Sequence, residues 1–376
     1  MKITALEIVR VGVNHRGDWL FVKLVTDTGL TGIGEASHGG GAGRDDIVTA
    51  ILKSQCAPAL IGRDPRAVMA ANAAIWPFGT GRAGTTAVSA CEQALWDLAA
   101  QAAELPLNRM LGGPTRSEIP LYANINRAVT DRTPDGFAAK AVAAVAEGFQ
   151  AVKLAPFDGM NQRRVHDADQ RQRMKTGLEC VAAVRQAVGY EIEVFVDCHS
   201  HFDVSTAIEV ATELRRLGIT WFEEPLPSED IDGLQRLRAH VPDLQLIGGE
   251  ELFGVEAFWP FLASGVWDLI MPDIKHCGGV SELLAIGRIA RARGISVAPH
   301  NPSGPVAMAV SAQVAAAMPE FRFLEHAWGE VPWRADLLAP AERIENGNYI
   351  LPTGPGLGVG LNEEILAQHQ QFSQAF

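Results

Sequence analysis

The sequence predicts an α/β protein, a (β/α)8-type barrel preceded by an α+β capping domain that the C-terminal segment completes. Three observations predict it. After Pro120, short apolar runs alternate with helical stretches eight times in about 210 residues. Nearly every one of those runs ends in a titratable side chain, and barrels carry their chemistry at the carboxyl-terminal ends of the strands. The residues before Pro120 follow another rhythm, strands first and helices afterwards, and a length of 376 residues accommodates one barrel plus a smaller accessory domain.

The elements follow in chain order. ITALEIVRVGV and LFVKLVTDTGLTGIGEA alternate as strands of a meander, with Asp27-Thr28-Gly29 as a turn. From about residue 45 to 112 the pattern is helical and alanine-rich. In AVSACEQALWDLAAQAAELP, Ala90, Leu95, Leu98 and Ala99 fall along an apolar face, and Leu111-Gly112-Gly113 ends the stretch. Residues 1–118 are therefore expected to form the cap and 119–335 the barrel, with 336–376, including ILPTGPGLGVGLNEE, packing back on the cap. The barrel strands are LYANIN, AVKLA, VFVD, WFEE, LIGGE, LIMPD, SVAPH and FLEH. One interval is long: Lys153 and Asp197 lie 44 residues apart, and the excess falls in DGMNQRRVHDADQRQRMK. That stretch is read as a longer solvated helix, with a partial lid or a subunit contact as the alternative.

Composition excludes several classes. The net charge is −12, with 44 acidic against 32 basic residues and no Lys/Arg-rich run, so the footprint of a nucleic-acid binder is missing. No segment reaches membrane-spanning length, and MKITALEIVRVGV lacks the features of a signal peptide, so no membrane partner and a cytoplasmic location are expected. Cys56, Cys91, Cys180, Cys198 and Cys277 are an odd number without a C-x-x-C pair and are expected to be reduced and mostly buried.

Asp197, Glu223 and Glu250 end the third, fourth and fifth strands at intervals of 26 and 27 residues, about one βα unit each. They should converge. Crowded carboxylates repel unless a hard cation neutralises them, and Mg²⁺ prefers oxygen ligands; helix capping or surface ion pairing is the bland alternative. Asp273 ends the sixth strand and His300 the seventh, 27 residues on, which suggests a hydrogen-bonded dyad with His300 as general base. His199 follows Asp197 by two residues and, by strand alternation, shares its inward direction, making it the candidate general acid; an ordinary loop histidine is the alternative. Lys153 on the second strand is a candidate for neutralising a substrate carboxylate or for a second base, against a snorkelling surface lysine. Glu325 on the eighth could accept a substrate hydroxyl or share a hydrogen bond with the dyad.

These residues resemble the mandelate racemase-like branch of the enolase superfamily, over essentially the whole chain. AVSACEQALWDLAAQAAELPLNRMLGG is similar to that branch's cap signature, FEEP and GGEE to its metal-ligand strands, MPDIKHCGGVSE…APHNPSGP to its Asp-His dyad region and PGLGVGLNEE to its C-terminal segment. The resemblance implies metal ligation by Asp197, Glu223 and Glu250 rather than Glu251, and the dyad Asp273-His300. Asp-Cys-His at 197–199 resembles the Asp-x-His of galactonate and mannonate dehydratases, which implies a Mg²⁺-dependent acid-sugar dehydratase forming a 2-keto-3-deoxy acid. Where many relatives have Lys-x-Lys, this chain has Lys153-Leu154-Ala155, which disfavours a two-base racemase. A sugar-acid epimerase or lactone cycloisomerase of the same superfamily is the alternative, and a non-catalytic sugar-acid-binding protein a remote one. A homo-oligomer is implied by the resemblance alone. Asn14, His15 and Arg16, the HGGGAGR stretch at 38–44 and Arg82 are the cap candidates for contacting the substrate's distal end.

Overall fold

In a computed structural model, which describes residues 1–14, 17–38 and 45–376, the N-terminal residues form an antiparallel sheet of β1 (Ile3–Asn14), β2 (Gly17–Thr26) and β3 (Thr31–Glu35). A strand from the far end of the chain, Gln370–Ala375, pairs with the outer edge of β1, so the tail does return to the cap. Leu6, Ile8, Leu20, Val22 and Leu24 pack with Ala87, Ala90, Ala94 and Leu98 of the helix Gly81–Ala102. The approach is close because β3 carries Gly32 and Gly34 there. A Cβ at either position would lie within 2.2 Å of the Ala94 carbonyl oxygen or 2.1 Å of that of Ala90.

That helix is buried nearly all round, not along one face, because its other side lies against the barrel. It ends at Ala102 and the chain turns through Glu104 (φ +56°) ahead of Pro106, which disfavours helix in the residue before it. Leu111-Gly112-Gly113 thus terminates only the short helix Leu107–Met110. Buried polar groups of the cap hold the seam. Glu92 accepts from the backbone N–H of Val280 (2.6 Å) and Ser281 (3.0 Å) at the start of the helix Val280–Ala292. Glu35 does the same for Gly304 (2.7 Å) and Ala307 (2.8 Å) at the start of Pro305–Ala315. Burial still pushes the Glu92 carboxyl up to about 7 against those bonds. Both helices start just beyond the sixth and seventh barrel strands, so the cap is fastened over the barrel mouth.

The barrel strands are β4 (Glu118–Asn124), β5 (Ala151–Leu154), β6 (Glu193–Asp197), β7 (Trp221–Glu223), β8 (Gln245–Gly248), β9 (Leu269–Ile270), β10 (Ser296–Val297) and β11 (Leu324–Ala327). They pair in parallel from β4 through β10. β11 pairs with β4, and a parallel bridge between Val297 and Phe321 closes the ring. Tyr122, Ala151, Phe195, Trp221, Ile247 and Leu269 fill the interior, with Phe195 stacked on Trp221 at 3.9 Å. Two residues further along four of these strands, on the same face, stand Asn124, Lys153, Asp197 and Glu223. The apolar layer is therefore the floor of a polar one.

Two stretches depart from expectation. Part of the tail, Asn348–Ile350, pairs antiparallel with the beginning of β4 rather than reaching the cap. The charged stretch after β5 is no single helix: the helix Ala168–Val188 takes up its second half, while Phe157, Met160 and Val165 are buried and pin the preceding residues as a loop. All five cysteines are free and buried, and no helix among the described residues is long and apolar enough to cross a membrane.

Candidate active site

The polar layer begins with the carboxylates. Asp197, Glu223 and Glu250 bring one oxygen each to within 4.8 Å of the others. Asp197 and Glu223 are the last residues of β6 and β7, whereas Glu250 lies two residues past β8, after a turn through Gly249 (φ +106°). Glu224 explains that turn. Its side chain accepts from the Gly249 N–H at 2.7 Å and from the Ser228 hydroxyl. Neighbouring Glu251 is ion-paired with Arg82. The tandem glutamates in FEEP and GGEE are thus divided, one of each facing the site and the other bracing its surroundings.

Lys153 is fully buried with its ammonium 2.5 Å from Glu223, 3.0 Å from Glu325 and 3.6 Å from Asp197. Burial alone would lower its pKa, but Glu223 and Glu325 outweigh that and hold it well above the ordinary lysine value. It is the countercharge of the layer, not a snorkelling surface residue. Glu325 also accepts from Asn124 Nδ2 (2.5 Å) and from the Asn301 N–H (2.9 Å). It stands 3.9 Å from His300 Nε2, too far for the hydrogen bond with the dyad that was one expectation.

The dyad is formed. His300 Nδ1 donates to Asp273 at 2.8 Å, which leaves Nε2 directed into the layer, 3.3 Å from Glu250. Both residues lie three positions beyond their strands, on loops. Asp273 has a second partner that periodicity could not show: Lys275 bonds it through Nζ at 2.5 Å and through its own N–H at 2.8 Å. Burial would raise the Asp273 carboxyl, but Lys275 and His276 overcome this and hold it well below the carboxylate range. Burial holds the His276 imidazole well below the ordinary histidine value, and Arg82 and Thr86 flank its ring at 3.2 and 2.8 Å.

His199 reaches the mouth by another route than strand alternation. β6 has ended, and His199 and Ser200 take left-handed backbone (φ +45° and +58°), which folds the ring back so that Nε2 lies 3.1 Å from Asp197. Its Nδ1 is 2.6 Å from Asp158, a residue of the loop after β5 that sequence reasoning missed. β6 and β10 are the third and seventh strands of an eight-stranded ring, so His199 and His300 approach the carboxylates from opposite sides.

Of the cap candidates, His15, Arg16 and residues 39–44 lie outside the described residues. Arg82 sits on the seam with Glu251 and His276. His38 is half-buried with its Nε2 3.4 Å from Arg127, which is anchored by Glu330 at 2.6 Å.

A hard divalent cation fits this donor set. Glu250 Oε2 is buried and makes no hydrogen bond, and only oxygens are offered. Residues 6–112 match the mandelate racemase / muconate lactonizing enzyme N-terminal domain, and residues 136–365 the enolase C-terminal domain-like family. The chain is 33% identical to a D-gluconate dehydratase of Thermoproteus tenax, covering 93% of this chain and 69% of that protein. It is 30% identical to a D-xylonate dehydratase of Haloferax volcanii (98% and 89%) and 30% identical to a D-galactarolactone cycloisomerase of Agrobacterium fabrum (82% and 81%). The barrel and its cap are those of the enolase superfamily, and the chain belongs to its mandelate racemase / muconate lactonizing enzyme family.

Proposed function

We propose that this chain is a Mg²⁺-dependent hydro-lyase that dehydrates a sugar acid, an aldonate or aldarate, to the 2-keto-3-deoxy acid. The observation that carries the proposal is the placement of two histidines on opposite sides of one carboxylate cluster, one backed by Asp273 and the other by Asp158. A racemase with a Lys-x-Lys base would have a second lysine where Ala155 stands.

Asp197, Glu223 and Glu250 would hold the cation, which supplies fixed positive charge beside the substrate carboxylate. Lys153 adds a buried ammonium to that end of the substrate. His300 Nε2 takes the proton α to the carboxylate, and Asp273 fixes the tautomer that leaves this nitrogen free. The C–H pair moves into the carboxylate as an enediolate, and Lys153 stabilises the added charge. The pair then returns to form a C=C bond while the β C–O bond breaks. His199 protonates the departing hydroxyl, water leaves, and the enol takes a proton at C3 to become the keto acid. Glu325, held by Lys153, Asn124 and Asn301, is placed to accept a substrate hydroxyl. Arg82, on the cap side of the seam with Glu251, is a candidate to meet a distal carboxylate of the substrate, and Arg16 a second.

Screening mono- and di-acid sugars, D-gluconate, D-xylonate and galactarate among them, with Mg²⁺ and a keto-acid assay should give turnover with at least one of them, abolished by chelator and restored by Mg²⁺. Keto-acid formation undiminished by chelation would defeat the proposal. Conversion of a lactone without keto acid would make the chain a cycloisomerase.

A further inference from the structure

The loop after β5 delivers Asp158 to His199 at 2.6 Å, and no step of the chemistry set out above gives Asp158 a task of its own. We infer that Asp158 is a positioning residue, which orients the His199 imidazole so that Nε2 faces the substrate's leaving group; this rests on the dehydratase reading. His199 needs such a partner. No strand holds it, its backbone is left-handed, and its side chain is 37% exposed; Asp197, 3.1 Å from Nε2, holds one end of the ring and Asp158 the other. A carboxylate on Nδ1 selects one of the ring's two faces of approach and fixes which nitrogen carries the resting proton.

Asp158 is itself braced. Arg132, from the loop after β4, donates to Asp158 at 3.0 Å and to the Ala155 carbonyl at 2.6 Å, with its guanidinium 5.1 Å over the Phe137 ring. Phe157, one residue before Asp158, meets Phe202, three after His199, edge to face at 5.0 Å. Gln162 donates to the Phe202 carbonyl at 3.0 Å. Contacts among the loops after three consecutive strands therefore tie them together.

Asp158→Asn is the sharper variant. Arg132 is only a donor, so it will claim the amide oxygen, and the amide NH₂ will then face His199 Nδ1 and reject the wild-type tautomer. Asp158→Ala removes the partner altogether. With the sugar acid identified by the screen, both variants should exchange the α-proton in heavy water within about threefold of wild type, and keto-acid formation should fall about 10–100-fold. With the corresponding 3-deoxy-3-fluoro acid, whose fluoride departs without a proton, the deficit should shrink to about threefold or less, as expected when only the acid step is impaired. Crystal structures of the Mg²⁺-loaded wild type and Asp158→Ala supply a readout independent of turnover, in which the His199 ring should lose its single orientation. Undiminished keto-acid formation would overturn the inference. So would exchange and elimination falling together with the ring unmoved. If the wild type exchanges the α-proton and never forms keto acid, dehydration is wrong, and the ring orientation in Asp158→Ala alone decides whether Asp158 positions His199.

Discussion

Replacing His300 with asparagine is expected to abolish exchange of the substrate α-proton and, with it, dehydration, by about 10²–10⁴-fold in turnover, the range a positioned general base supplies. The fold should survive. Asp273, which loses the imidazole, keeps Lys275 at 2.5 Å and so is not left as an uncompensated buried charge. Asparagine fills a similar volume and can still donate to Asp273, but it cannot accept a proton near neutral pH. Proton NMR of the substrate in heavy water, with Mg²⁺ present, measures the exchange directly. Exchange at the wild-type rate would remove His300 from the role of base.

Lys153→Met is expected to be the most destabilising single change in the polar layer, and more so without metal than with it. The ammonium stands within 3.6 Å of three carboxylates, and all four groups are buried to 2% exposure or less. Removing one member of a buried charge cluster costs about 3–5 kcal/mol. Part of that loss should return when Mg²⁺ is added, because a cation binding Asp197, Glu223 and Glu250 supplies countercharge to the same oxygens and stabilises only the folded state. Thermal unfolding of the variant in chelator and in excess Mg²⁺, each against wild type, gives the comparison. The recovered variant should still turn over about 10²–10³-fold more slowly, since the charge that stabilised the enediolate is gone. An equal destabilisation in chelator and in Mg²⁺ would mean that the metal and Lys153 do not share the carboxylates.

Much of this site was legible in the sequence because a parallel barrel turns linear spacing into angular position. Intervals of 26 and 27 residues place Asp197, Glu223 and Glu250 on adjacent strands, and the same interval joins Asp273 to His300. Strand alternation then accounts for Lys153, two residues beyond Ala151 of the apolar floor. Period-two reasoning fails where strands stop. His199 points inward because of left-handed backbone, and Glu250 because of a turn at Gly249 that Glu224 holds. Asp158 and Lys275 were invisible for a related reason: each acts through a loop whose path depends on tertiary partners, Arg132 and Phe202 for one and a turn on Asp273 for the other. The long cap helix was read as one-faced because Glu92, Gln93 and Asp97 are polar. They are buried all the same, since backbone N–H groups of the barrel, of β3 and of Leu357 in the C-terminal tail satisfy them.

The reaction itself is most directly tested by incubating the Mg²⁺-loaded protein with the substrate from the screen in heavy water and following both the acid and its product by NMR. Abstraction by His300 with loss of the β-hydroxyl requires a 2-keto-3-deoxy acid carrying one solvent-derived deuterium at C3. Recovery of the sugar acid with deuterium at its α-carbon, as either epimer and without keto acid, would contradict dehydration and make the same carboxylates and dyad serve an epimerase.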